Sequence, residues 1–298
     1  MKILVTGSNG LLGQKIIQGY KNKEGIELIA TARGENRMID KAGYSFESMD
    51  ITQADEVMDL IKRIKPDAVI HAAAMTNVDA CETDKENCKK VNVDAVEYLV
   101  RACEKVDAHL IHVSTDFIFN GMSGPYDENG IPDPLSYYGW SKLEAEKIVM
   151  NAKCRWTILR TVLVIGVTEG MSRSNIVLWV RDSLRRGERI RVVNDQWRTP
   201  TLAEDLAQGC ILAAIKEKEG VYNISGEEVM SILDIAYRVA DHFDLDKNLI
   251  DEVSSETLNQ PAKRPPRTGF IITKAKEELG YEPHSFSESI SIIDSQSH

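Results

Sequence analysis

A short apolar run, Lys2 to Thr6, is followed by glycines at three-residue spacing, Gly7, Gly10 and Gly13. Leu11, Leu12, Ile16 and Ile17 then open a helical pattern. No other stretch restricts the chain as much. A strand that turns through glycines into a helix makes a cradle for an anion. Residues without a Cβ let the backbone approach, and the helix N-terminus offers free N–H groups and a partial positive charge. Glycines also make ordinary turns. Here the strand-before, helix-after context is the one a dinucleotide fingerprint requires. Gly7, Asn9, Gly10, Leu11, Leu12 and Gly13 are therefore expected against a cofactor's phosphates.

Beyond this turn, strands and helices alternate. Strands are expected over 26–32, 68–73, 109–114 and 156–161, with helices over 53–65, 85–106 and 137–151. This alternation implies an α/β fold, a Rossmann-type doubly wound parallel sheet with right-handed crossovers. Such sheets bind ligands beyond the carboxyl ends of their strands. The second half is less regular. Helices are expected over 176–186, 202–216, 231–243 and 274–279, strands over 189–193 and 221–225, and an ordered Pro-rich basic loop over 259–269. We expect a nucleotide-binding domain over 1–166. A smaller α/β substrate lobe covers 167–298, with segments near 195–225 returning to the first domain.

The formal net charge of −10 argues against a general partner in nucleic acid or an anionic membrane, both of which need a basic face. The longest apolar stretch, 156–167, is too short to span a bilayer. The N-terminus enters the first strand at once, so no signal peptide is expected. Five scattered cysteines without a CxxC pair read as reduced, structural thiols, so a cytoplasmic location is expected. No metal-ligand spacing stands out among the six histidines.

A carboxylate about twenty residues beyond the glycines would mark NAD. Instead the second strand ends at Arg33, followed by Gly34 and Arg37. An arginine fork suits a 2′-phosphate, so Arg33 is expected to favour NADPH over NADH. Asp50 and Ile51 stand where a loop could contact the adenine. After the 68–73 strand, Ala72, Ala73 and Ala74 let backbone pass close to a cofactor, or simply pack tightly.

Ser114 and Thr115 end the strand over 109–114, followed by Asp116. Tyr138 and Lys142 are four residues apart on a helix and share a face. An ammonium beside a phenol favours the phenolate and eases proton transfer. A hydroxyl from Ser114 or Thr115 could hold a carbonyl against that phenol. The set can protonate a ketone oxygen while a hydride arrives from nicotinamide. Tyr137 is off the shared face and is expected to pack.

At this point the chain resembles the extended short-chain dehydrogenase/reductases, and among them the dTDP-4-dehydrorhamnose reductase family. The matching pieces are GSNGLLG at 7–13, HAAAMTNVDACE at 71–82, VNVDA at 91–95, STDFIFNG at 114–121, YYGWSKLEAE at 137–146 and DQWRTPTLAEDLA at 195–207. The resemblance implies NADPH-dependent reduction of a 4-keto sugar nucleotide, dTDP-4-dehydro-L-rhamnose to dTDP-L-rhamnose. Thr115, Tyr138 and Lys142 would be catalytic, with Ser114 beside them. Lys142 and Tyr138 would also touch the cofactor, as would Asn92, and Thr76, Val78 and Asp116 the substrate. A homodimer and a magnesium ion are allowed by resemblance alone. Phe117 stands where the related dehydratases carry a second acid, which favours reduction over elimination.

Two positions depart from the family pattern. Leu163 stands where an aromatic residue usually lies against the sugar, and Arg198 replaces a glycine. Arg198 could reach a substrate phosphate or brace its loop. Lys263, Arg264 and Arg267 cluster in an acidic chain and suit a diphosphate, with Arg267 the foremost candidate, or form a solvated basic loop. A different class is also open: a non-catalytic NADP-binding subunit resembling the beta subunit of methionine adenosyltransferase. A reductase or epimerase of another sugar nucleotide is open as well.

Overall fold

The computed structural model describes residues 1–170 and 174–297. Strand β1 (Lys2–Thr6) turns through the glycines into α1 (Leu11–Tyr20). There follow β2 (Glu27–Ala32), β3 (Ser45–Ser48), α2 (Ala54–Ile64), β4 (Ala68–His71), α3 (Val78–Thr83), α4 (Lys85–Lys89) and α5 (Ala95–Val106). Next come β5 (His109–Thr115), α6 (Tyr137–Met150), β6 (Trp156–Thr161), β7 (Val164–Ile165), α7 (Ile176–Arg185), β8 (Ile190–Val193), β9 (Trp197–Arg198) and β10 (Thr201–Leu202). The chain closes with α8 (Ala203–Ile215), β11 (Gly220–Ile224), β12 (Met230–Ser231), α9 (Ile232–His242), β13 (Ile250–Val253) and α10 (Phe286–Ser295).

The central strands are mostly apolar because helices cover both faces of their sheet. Seven parallel strands stand in the order β11-β6-β5-β4-β1-β2-β3. On one face Ile3, Val5, Ile16, Leu206 and Ile211 join α1 and α8 to the sheet. On the other, Leu4, Val57, Leu99, Leu110 and Val149 join α2, α5 and α6. The strand order reverses direction between β1 and β4, and that is where such a sheet opens a crevice. Gly7, at φ 69°, turns the chain there. A Cβ on it would stand 2.8 Å from the backbone of Ala73.

A second core gathers Ile165, Leu178, Val192, Ile235, Val239 and Ile290 from β7, α7, β8, α9 and α10. It forms a smaller lobe beside the carboxyl ends of the strands. The parallel pair β8–β13 lies in it, and β10 pairs with β7.

Several elements differ from what the residue pattern suggested. β3 was not expected: Ser-Phe-Glu-Ser has no apolar alternation and sits at the sheet edge, half exposed. The expected helix over 85–106 is interrupted by a π-helical turn at Lys90–Asp94. α3, β13 and α10 were also unforeseen. For α10 a signal existed, since Ser285 and Glu288 form a capping box.

Candidate functional site

A cavity of about 550 Å³ opens in the crevice between the sheet and the smaller lobe. Gly7, Asn9, Gly10, Leu11, Leu12 and Gly13 line one end. α1 begins at Gly10 with no side-chain cap. The N–H groups of its first turn therefore face the cavity without an intrahelical partner, as an anion site requires. Asn9 clamps the loop after β2. Its Nδ2 donates to the Glu35 carbonyl at 2.9 Å, and its Oδ1 accepts from the Arg37 N–H at 2.9 Å. This clamp brings Arg37 to the cavity wall.

Ala72, Ala74, Thr76, Val78, Ser114, Thr115, Asp116, Tyr138 and Lys142 also line the cavity. So does Leu163, whose φ of 38° places it in the left-handed region that a side chain seldom adopts. Thr161, Asn175 and Ile176 are among the lining residues that were not foreseen. Asn175 caps α7 and donates to the Gly166 carbonyl at 2.7 Å.

Tyr138 packs edge-on against Phe117 at 5.7 Å and is buried. Burial pushes its phenol well above the ordinary value, although the facing Thr115 hydroxyl pulls the other way. Lys142 is not among the groups that shift it. Lys142 spends its ammonium on the Val113 carbonyl at 2.8 Å and on His112 Nε2 at 3.1 Å. Burial lowers Lys142 to about 8, opposed by Glu146 and Cys88. The phenol thus stays a proton donor across neutral pH. Thr115 Oγ1 donates to Asp116 at 3.1 Å. The buried Ser114 hydroxyl has no partner among the described residues.

Other expected site residues lie outside the lining. Arg198 is buried, and its guanidinium donates to the carbonyls of Trp197, Pro265 and Pro266. It also lies 3.6 Å from Asp116. Its guanidinium braces that loop. Arg267 is exposed outside the lining, with its backbone bridged to Trp197. Arg264 pairs with Asp79 at 2.7 Å. Asn92 is buried in the π turn. Its amide holds both the N–H and the carbonyl of Met75, at 2.8 and 3.0 Å, so it supports the loop after β4 from behind. Arg33, Asp50, Ile51 and Ala73 also fall outside the lining. Arg33 points to solvent beside Asp50. Ala73 is the packing surface for Gly7.

No helix among the described residues is long and apolar enough to cross a membrane. Among the described residues no cluster of three or more His, Cys, Asp or Glu could hold a metal ion.

A family model described as the RmlD substrate binding domain matches residues 1–296. The chain is 31% identical to the dTDP-4-dehydrorhamnose reductase of Aggregatibacter actinomycetemcomitans over 304 aligned positions, covering 98% of each. It is 30% identical to the methionine adenosyltransferase 2 subunit beta of Xenopus tropicalis, covering 86% of this chain and 76% of that one. Among solved structures it is similar to the dTDP-4-dehydrorhamnose reductase of Bacillus anthracis in complex with NADP. The TM-score is 0.85 at 25% identity, with 99% of both chains covered.

Proposed function

The chain belongs to the RmlD substrate binding domain family, and on that premise we propose that it is an NADPH-dependent reductase of dTDP-4-dehydro-L-rhamnose. The observation that carries this reading is one cavity lined both by an uncapped helix N-terminus and by a buried phenol.

NADPH fits the cavity. Gly10 lines it, and a Cβ there would meet only the Gly7 carbonyl, so the space in front of the helix N–H groups is open for a pyrophosphate. Arg37, held at the wall by Asn9, is placed to take a 2′-phosphate, with Arg33 beyond it. When bound, NADPH supplies the hydride that reduces the sugar's C4 carbonyl. Tyr138 donates the proton to the forming alkoxide. Thr115, with Ser114 beside it, holds the carbonyl oxygen against the phenol. Lys142 keeps a positive charge near the developing oxyanion and is within reach of the nicotinamide ribose. Thr76, Val78 and Asp116 border the sugar.

The smaller lobe forms the substrate side in this reading. A second cavity of about 310 Å³ is lined by Trp179, Arg191, Gln196, Gln260 and Arg264 among others. Trp179 lies one turn of α7 beyond Ile176, and Arg264 is tied to Asp79 beside Val78, so both borders adjoin the first cavity. Its two arginines and indole suit the diphosphate and base of the substrate. The test is product analysis with C4-deuterated NADPH and dTDP-4-dehydro-L-rhamnose. One deuterium at C4 of a dTDP-6-deoxyhexose supports the reading. NADPH binding without any reduced sugar would favour a regulatory subunit.

A further inference from the structure

We propose that His112 is a positioning residue for Lys142: its imidazole accepts a hydrogen bond from the ammonium and fixes the direction in which the remaining proton points. This rests on the reading that Lys142 works in the reduction.

His112 lies on β5 two residues before Ser114, so the two share a face of the strand. Leu110, next on that face, packs in one cluster with Ala145 and Val149 of α6. His112 takes the following place, under the helix that carries Lys142. Its Nε2 is 3.1 Å from Lys142 Nζ, and the Val113 carbonyl accepts from the same ammonium at 2.8 Å. An ammonium has three protons. Two are thereby committed to the sheet, leaving one for the cavity that Lys142 lines.

The imidazole is itself held. Its ring lies 5.4 Å from that of His71, tilted by 30°. His71 Nδ1 is 2.8 Å from Thr6 Oγ1, and that hydroxyl accepts from the Ala73 N–H at 3.3 Å. Both histidines are buried. Burial, with the Lys142 charge nearby, drives His71 down to about 3 and His112 well below its ordinary value. Both rings are neutral at physiological pH.

A neutral His112 that accepts at Nε2 carries its proton on Nδ1, and Nδ1 has no partner among the described residues. A bare buried donor costs stability that an apolar residue would not. Packing alone is thus a poor reason for a histidine here, whereas the bond to Lys142 is a sufficient one. The groups facing Lys142 are Tyr138 and Glu146 on its own helix, His112 on β5, His71 on β4 and Cys88 on α4. Glu146 is buried against Arg160 at 2.8 Å. His112 is the one among them that meets the ammonium in a hydrogen bond.

The test compares His112→Gln with His112→Asn. Glutamine places an amide oxygen near the Nε2 position, while asparagine withdraws it by one methylene. Rates with NADPH and dTDP-4-dehydro-L-rhamnose are measured against pH, and NADPH affinity by calorimetry. The glutamine variant should stay within about 3-fold of the parent, with its alkaline limb unmoved. The asparagine variant should lose about 10-fold in kcat, bind NADPH more weakly, and lose activity about one pH unit earlier. Equal behaviour of the two variants would overturn the assignment. Should the asparagine variant not fold, the glutamine variant decides, and an alkaline limb lowered by a unit overturns it. A Lys142→Met protein with full turnover would overturn the functional reading itself, and the assignment with it.

Discussion

Gly13 and Gly10 look alike in the sequence and should behave in opposite ways. A Cβ at Gly13 would stand 2.4 Å from the Gly7 carbonyl oxygen and 2.6 Å from Ser8 Cα. Both are backbone atoms, so no side chain can swing away. Restoring ordinary contact needs about 1 Å of movement in the phosphate turn. Overpacking of this kind costs about 1–3 kcal/mol. For a chain of this size that is about 2–5 °C in Tm. At Gly10 the only contact is the Gly7 carbonyl at 3.3 Å, and φ is −86°. Alanine there loses a little as a helix cap and regains about as much in unfolded-state entropy, so stability should change by less than about 1 kcal/mol. Its methyl group, however, enters the space in front of the helix N–H groups. Losing one charge-assisted hydrogen bond to phosphate is worth about 1.5–3 kcal/mol, or 10- to 100-fold in NADPH affinity. Gly13→Ala should therefore lose both stability and cofactor, whereas Gly10→Ala should lose cofactor alone. The assays are thermal unfolding and calorimetric NADPH titration. A Gly10→Ala protein that binds NADPH like the parent would refute the placement of the phosphates.

Tyr138→Phe should lower turnover by about 10²- to 10⁴-fold while leaving the NADPH dissociation constant within about 3-fold, measured by steady-state rates and titration. Activity should fall as pH rises through about 8, because Lys142 then loses its proton, while the phenol, raised by burial, still holds its own. A rate profile flat from neutrality to pH 10 would contradict this. His71, unprotonated in the fold down to about pH 3, must gain its proton in the unfolded chain near 6.5. Unfolding therefore binds protons as pH falls through that window, and stability should be lost from about 6.5 downward, less steeply in His71→Gln. Arg264→Ala should raise the substrate KM about 10-fold and leave the NADPH KM unchanged, since it lines the second cavity and not the first.

The turn at Gly7 to Gly13 and the Tyr138–Lys142 pair were legible because each is written in local spacing: glycine punctuation in one, a shared helical face in the other. The strands of the central sheet were legible because both their faces are covered, which makes them mostly apolar. What stayed hidden depends on partners distant in sequence. Arg198 read equally well as a phosphate ligand until the carbonyls of Pro265 and Pro266 claimed it. Asn92 looked like a cofactor contact, but a π turn aims it at the backbone of Met75. Spacing places Lys142 beside Tyr138 yet does not say where its ammonium points. That is set by a strand some thirty residues earlier, through the Val113 carbonyl and His112.

The most direct measurement is NADPH oxidation by the purified protein with dTDP-4-dehydro-L-rhamnose, set beside other 4-keto sugar nucleotides and beside NADH. The account predicts stoichiometric NADPH consumption with the dTDP sugar, abolished in Tyr138→Phe. Tight NADPH binding with no consumption on any keto sugar would contradict it.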